Sequence, residues 1–239
     1  MDRGTITDVS FFSEALQETF DLLIYVPANY TPLNQYHICI ASDGRDYFQM
    51  GGIARLADQL LEDYEMEQTI IVGVPYINAA DRANKYIPTG NQFTAYMSFL
   101  ANELVPYLDE EYSTYGLATG RALIGDSMAG TAALMGVLHY PSIFGKAALQ
   151  SPFVDEAVLN KVKELPLKEG VSIYHIIGLQ EIAMTRKNGE VMDLLTPNRT
   201  LHSLMKQQKI DYFYEEFDGN HTWTYWKPDL SRLLVKIFG

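Results

Sequence analysis

The sequence predicts an α/β fold with a mostly parallel central sheet, helices on both faces, an antiparallel N-terminal edge and no large cap domain. Three observations carry this. Short apolar runs alternate with longer segments of helical spacing over most of the 239 residues, as parallel strands and crossover helices do. The runs 38–41 (ICIA) and 69–75 (TIIVGVP) do not alternate with polar residues, the mark of strands buried on both faces. The first two expected strands, 4–10 and 16–26, are joined by a turn near Ser13-Glu14, which is too short for a crossover and so pairs them antiparallel.

The elements follow in order. After a polar loop at 27–32, the strand at 37–41 ends at Asp43-Gly44-Arg45-Asp46. A helix is expected at 47–64, with Ile53, Leu56, Leu60 and Leu61 on one face. The strand at 69–75 leads into an irregular polar stretch, 76–94, long enough to suggest a functional loop. A helix at 92–112 repeats Phe93, Tyr96, Phe99, Leu100 and Leu104 at helical spacing. Strands are then expected at 121–124, 146–150, 171–177 and 212–217, and helices at 131–140, 156–163, 198–208 and 222–237. Only residues 151–170 separate two of these strands, which leaves no room for a large cap.

Composition bounds the function. Hydrophobic residues at 47% and charged residues at 20% suit a globular chain, and no linker or repeat divides it, so residues 1–239 read as a single domain. A net charge of −12 argues against nucleic acid and anionic membranes as partners. The single cysteine, Cys39, excludes an internal disulfide, reads as a small core residue and favours the cytoplasm. No apolar run is long enough to span a bilayer, and the N-terminus lacks a signal-peptide core. Neither a His-Glu-x-x-His run nor a cysteine pair is present, so no metal or other cofactor is expected.

The most informative stretch is Gly125-Asp126-Ser127-Met128-Ala129-Gly130, between a short buried strand and an Ala-, Leu- and Met-rich helix. A serine in a tight strand-to-helix turn flanked by small residues is the nucleophile elbow of an α/β-hydrolase. Such a serine needs a base and a group to orient it. Of five histidines, His37 and His175 fall inside strands, His139 lies too far along the elbow helix and His202 sits on an exposed helix. His221 lies in the loop after the last strand, at the edge where catalytic groups gather. The acid belongs between Ser127 and His221 in the chain. Glu181 is preferred, with Asp193 and Asp155 as alternatives. The amide after the nucleophile, that of Met128, and one from the Asp43-Gly44-Arg45 loop, assigned to Arg45, are the expected oxyanion donors.

These residues together resemble the "putative esterase" family of α/β-hydrolases, which includes esterase D and the enterochelin (iron-siderophore) esterases. The resemblance runs from about Ile38 to the C-terminus. It rests on Asp43-Gly44, on Arg82 with Tyr86 and Pro88, on Glu103-Leu104-Val105-Pro106-Tyr107, on Gly125-Asp126-Ser127-Met128, and on Gly219-Asn220-His221-Thr222-Trp223 followed by Tyr225-Trp226. It implies that Ser127 is the nucleophile and His221 the general base, with the acid at the end of the Gly178 to Glu181 run. Ala129 stands where the pattern usually has glycine, and the polar segment 185–190 lengthens the acid loop.

The expected activity is two-step hydrolysis of a small-molecule carboxylic ester through an acyl-enzyme. An open cleft suits soluble or bulky esters, among them enterochelin-like lactones. Arg45, Arg82 and Lys85 would place positive charge at its mouth for an anionic substrate, and Arg82, Tyr86 and Trp223 would contact that substrate. Acyl transfer or thioester hydrolysis could run on the same groups, and an inactive relative would only bind a ligand.

Overall fold

The computed structural model describes residues 2–185, 189 and 191–239. Eight strands form one sheet: β1 (Thr5–Ser13), β2 (Glu18–Val26), β3 (His37–Ser42), β4 (Thr69–Val74), β5 (Arg121–Asp126), β6 (Lys146–Gln150), β7 (Ser172–Gly178) and, last in the chain, β10 (Asp211–Phe217). The spatial order is β1-β2-β4-β3-β5-β6-β7-β10. β1 pairs antiparallel with β2, and β2 with β4, whereas every pair from β4 to β10 is parallel. The α/β architecture and its antiparallel edge are therefore as the sequence predicts. A small antiparallel pair, β8 (Met184–Thr185) with β9 (Val191–Met192), lies apart from the sheet.

Helices cover both faces. α2 (Ile53–Glu62) and α9 (Trp223–Phe238) bury Ile53, Leu60, Trp226, Leu230 and Leu234 against Cys39, Ile124 and Ile176 on one face. The larger core, on the other face, gathers α4 (Phe93–Ser98), α5 (Val105–Glu111), α6 (Met128–His139), α7 (Glu156–Glu164) and α8 (Leu195–Met205). Residues 129–138 of α6 are all buried, because this helix is enclosed by the sheet and its neighbouring helices. Its Ala-, Leu- and Met-rich composition follows from that enclosure. Among the described residues no helix is long and apolar enough to cross a membrane.

Two stretches differ from the sequence reading. The segment 76–94 is not irregular throughout: Ala79–Tyr86 forms α3. Its start is capped by Asn78, whose side chain accepts from the amides of Ala80 and Asp81. The helix expected at 47–64 is instead a three-residue turn, α1 (Gly44–Asp46), a wider π-helical turn at Tyr47–Gly51, and then α2. Gly52, at φ 68°, breaks the run in a conformation that favours glycine.

β10 forms the outer edge of the sheet, and a polar network holds it to α8. His175 on β7 is fully buried, with Nδ1 on the Tyr212 hydroxyl at 2.9 Å and Nε2 on Asn198 Oδ1 at 2.7 Å. Burial pushes its pKa down to about 4, with the nearby His202 acting the same way and the Asn198 hydrogen bond opposing. The unfolded chain therefore binds a proton that the native state refuses between about pH 6.5 and 4. Stability should fall as pH drops through that window, by up to roughly 3 kcal/mol from this group. Urea titrations of wild type and His175→Gln across it should show a shallower pH dependence in the variant, and parallel curves would remove this assignment.

Candidate active site

All the residues singled out for chemistry sit at or near the carboxyl edge of the parallel strands. Ser127 follows β5 with φ 53° and ψ −124°, a strained conformation for a residue with a side chain. Close packing permits it: a Cβ on Gly125 would lie 2.2 Å from the Ala129 carbonyl carbon. Ala129 itself is fully buried, so the methyl group at this usual glycine position is accommodated. The Ser127 amide donates to Gln150 O at 2.9 Å, and its carbonyl accepts from Phe153 at 3.0 Å, which locks the turn to the end of β6.

A short polar contact at this edge joins two loops. Glu181 lies on a 3-10 turn, Leu179–Ala183, directly after β7, and is fully buried. Its Oε2 meets His221 Nδ1 at 2.6 Å. Its Oε1 accepts the Gly178 amide at 2.9 Å and the Ser151 hydroxyl at 2.6 Å. A carboxylate accepts only, so Nδ1 carries the proton and Nε2 is the nitrogen available as a base. The His221 side chain is 15% exposed, and its ring stands edge-on to Trp226 at 4.8 Å.

The other candidate acids have different partners. Asp193 is exposed, and its Oδ1 accepts the Thr196 amide in the first turn of α8. Asp155 caps α7 by accepting the Val158 amide at 2.9 Å. Residues 186–188 and 190 of the long acid connection lie outside the described residues. The remaining histidines also have partners elsewhere: His37 with Glu67, His139 against Phe93, His202 stacked on Tyr214, and His175 as above.

The amides assigned to the oxyanion begin two helical turns. Met128 is the first residue of α6, so its N–H has no partner within the helix. Asp43, at φ 59° and ψ 37°, turns the chain into α1, where the Asp46 amide is the first to reach back to Asp43 O. The amides of Gly44 and Arg45 precede that bond. Gly44 packs directly on β4, where a Cβ would lie 2.3 Å from the Gly73 backbone.

The residues expected to contact substrate, Arg82, Tyr86 and Trp223, have these internal partners. Arg82 is 16% exposed and grips the buried Asp43 with its Nε, 3.0 Å from Oδ1 and 2.8 Å from Oδ2, and with its Nη2. Its Nη2 also donates to the Asp126 carbonyl at 3.2 Å. Tyr86 is fully buried, and its hydroxyl accepts the Asp43 amide at 3.3 Å. Lys85 is 1% exposed, held by Glu18 and Asp81. These three side chains brace the interior and do not form a cationic mouth. Arg45 alone of the three expected cations is exposed, and Trp223 is half-buried against Tyr47. The carboxyls of Asp43 and Asp126 share the guanidinium, and Asp126 is pushed well above the usual carboxylate range by burial first and then by the charge of Asp43, with Arg82 opposing. Asp46 is raised as well, by its partial burial.

Beside His221 opens a cavity of about 410 Å3 lined by Gln180, Glu181, Met184, Thr185, Asn220 and Thr222. Among the described residues no group of three or more His, Cys, Asp or Glu could hold a metal ion.

A family described as "Putative esterase" matches residues 13–237. The chain belongs to that esterase family. It is 46% identical over 235 residues, 98% of each chain, to YjcH of Bacillus subtilis strain 168, which is described as uncharacterized. The enterobactin esterase FES of Shigella flexneri superimposes with a TM-score of 0.81 at 20% identity, over 97% of this chain. The chain spans 59% of that structure's length. A ferulic acid esterase superimposes with a TM-score of 0.79 at 17% identity, over 100% of this chain and 99% of its own. These likenesses establish the α/β-hydrolase type of fold, and family membership makes the chain a relative of ester hydrolases.

Two substitutions test the scaffold. Gly125→Ala should unfold or severely destabilise the protein, because the added carbon meets backbone rather than a movable side chain. Arg82→Met leaves the buried Asp43 without its counter-charge and should cost roughly 3–5 kcal/mol in denaturant unfolding. A loss under about 1 kcal/mol, the range of exposed pairs, would contradict a bracing role for Arg82.

Proposed function

We propose that this esterase-family chain is a serine carboxylic-ester hydrolase in which Ser127 is the nucleophile, His221 the general base and Glu181 the orienting acid. The observation that carries the reading is the 2.6 Å contact between a fully buried carboxylate and Nδ1 of the one histidine in the loop after the last strand. That contact sets the tautomer a serine base requires. The short links from Ser127 to the end of β6, and from Ser151 to Glu181, support placing all three groups in one cluster.

In the first step His221 Nε2 takes the Ser127 proton as Oγ attacks the ester carbonyl. The amides of Met128 and Arg45 receive the oxyanion, each such donor being worth about 2.7–4 kcal/mol of barrier. The imidazolium, steadied by Glu181, then protonates the departing alcohol. Water activated by the same nitrogen releases the acid from Ser127. None of these steps calls on a cofactor.

The substrate is proposed to be a soluble organic ester bound at the cytoplasmic site the composition favours. Arg82 and Lys85 are tied into internal ion pairs, so of the three expected cations Arg45 alone is left exposed to recruit an anionic substrate. Leu179 and Ile182, 41% and 53% exposed, instead give the edge near Glu181 an apolar character. Uncharged esters are therefore favoured over polyanionic ones, with siderophore lactones the comparison to make because of the structural likeness to FES.

A panel of p-nitrophenyl esters and a catecholate trilactone tests this. Wild type should hydrolyse at least one uncharged ester. Ser127→Ala and His221→Ala should each lose roughly a million-fold in kcat, and Glu181→Gln roughly ten-thousand-fold. Full activity in Ser127→Ala would refute the mechanism, and a strong preference for the trilactone would refute the substrate preference.

A further inference from the structure

We infer that Ser151 and Trp226 are positioning residues for the reaction, forming a directed hydrogen-bond chain that holds Glu181 against His221. The inference rests on the serine-hydrolase reading and adds Ser151, which no sequence motif marks, and a role for Trp226 of the C-terminal motif.

Ser151 directly follows β6 and is fully buried. Its backbone adopts φ 49°, in the left-handed region that glycine or asparagine occupies more readily. Its amide donates to Ile176 O at 2.8 Å, which ties this turn to β7. The hydroxyl lies between two partners: Trp226 Nε1 at 3.1 Å and Glu181 Oε1 at 2.6 Å. An indole N–H can only donate. The serine oxygen must therefore accept from Trp226, and its single proton points at the carboxylate. The chain runs one way, from Trp226 N–H to Ser151 O–H to Glu181 Oε1. Together with the Gly178 amide it supplies Oε1 with two donors and leaves Oε2 to face Nδ1 of His221.

Trp226 acts at both ends. Besides feeding the hydroxyl, its ring packs edge-on against His221, and it is 3% exposed. Its carbonyl accepts from Gln150 Nε2 at 3.1 Å, and Gln150 Oε1 in turn accepts the Tyr47 hydroxyl at 3.0 Å. The first turn of α9 is thereby fixed to the end of β6, beside Ser127. A strained backbone that places a hydroxyl between the acid and a buried tryptophan is an outlier of the kind found at functional sites. Hydrogen bonds aligned in this way also polarise one another in a dry interior.

Two independent variants remove the hydroxyl. Ser151→Gly relieves the backbone, which makes it the safer variant for folding, and Ser151→Ala keeps the side-chain bulk. Trp226→Phe removes the donor and keeps a ring against His221. Steady-state kinetics on a hydrolysed p-nitrophenyl ester should show kcat lower by roughly tenfold in both Ser151 variants, with KM within about twofold of wild type. Trp226→Phe should show a smaller fall, and the double variant Ser151→Ala/Trp226→Phe should be no worse than Ser151→Ala, because the indole acts through the hydroxyl. Proton NMR should show the downfield signal of His221 Nδ1–H moved in every variant with native circular dichroism. Wild-type kcat with an unmoved signal in folded Ser151→Gly would overturn the inference. Activity retained in Ser127→Ala would instead refute the hydrolase reading beneath it, and if no ester in the panel is cleaved the NMR signal alone decides.

Discussion

The close approach of β5 to α6 at Gly125 is the constraint on which the rest of the site depends. With no side chain at 125, the helix backbone can lie against the strand, and the chain must turn sharply at Ser127 to enter it. That turn costs on the order of 1–3 kcal/mol in backbone strain. It persists because α6 is buried on nearly every side, so the helix cannot slide to relieve it. The elbow also brings the Met128 amide, which has no helical partner, to the same edge as the serine.

Charge in this protein is handled by burial in pairs. The chain is strongly acidic, yet two of its inward cations, Arg82 and Lys85, are each held by a carboxylate from another element, Asp43 and Glu18, and Lys85 also by Asp81 of its own helix. Arg82 ties the loop after β3 to the end of β5, the two places that supply the proposed oxyanion amides. Glu181 is the contrasting case: a fully buried acid whose partners among the described residues are an amide, a hydroxyl and an imidazole. A carboxylate satisfied by neutral donors keeps its charge available to an imidazolium forming beside it, which is what the proposed base requires.

Much of the architecture was legible because parallel strands buried on both faces leave apolar runs bounded by turn residues, as at β3, β4 and β5. Ser127, Glu181 and His221 stood out through small residues at the elbow, chain order and placement after strands. The contact between Glu181 and His221 spans 40 residues and has no local signature. The same is true of Arg82 with Asp43, 39 residues apart, and of Lys85 with Glu18, 67 residues apart. A cation bound to a distant carboxylate looks like a surface charge in a linear reading, which therefore places both at the mouth of the cleft. α3 does not stand out in the periodicity because its sequence, AADRANKY, lacks an apolar stripe. The usable signal was at its ends: Asn78 as cap, Asp81 in the first turn and Lys85 in the last. Ser151 carried no signal at all, since neither its backbone conformation nor its burial between Trp226 and Glu181 is written in neighbouring residues.

The central claim is that the elbow serine is a nucleophile activated through the histidine–glutamate pair. Covalent capture by a fluorophosphonate, followed by peptide mapping, tests it most directly. The account predicts one adduct per chain, on Ser127, forming far more slowly when His221 is replaced by alanine. An adduct on another residue, or equal capture with and without the imidazole, would contradict it.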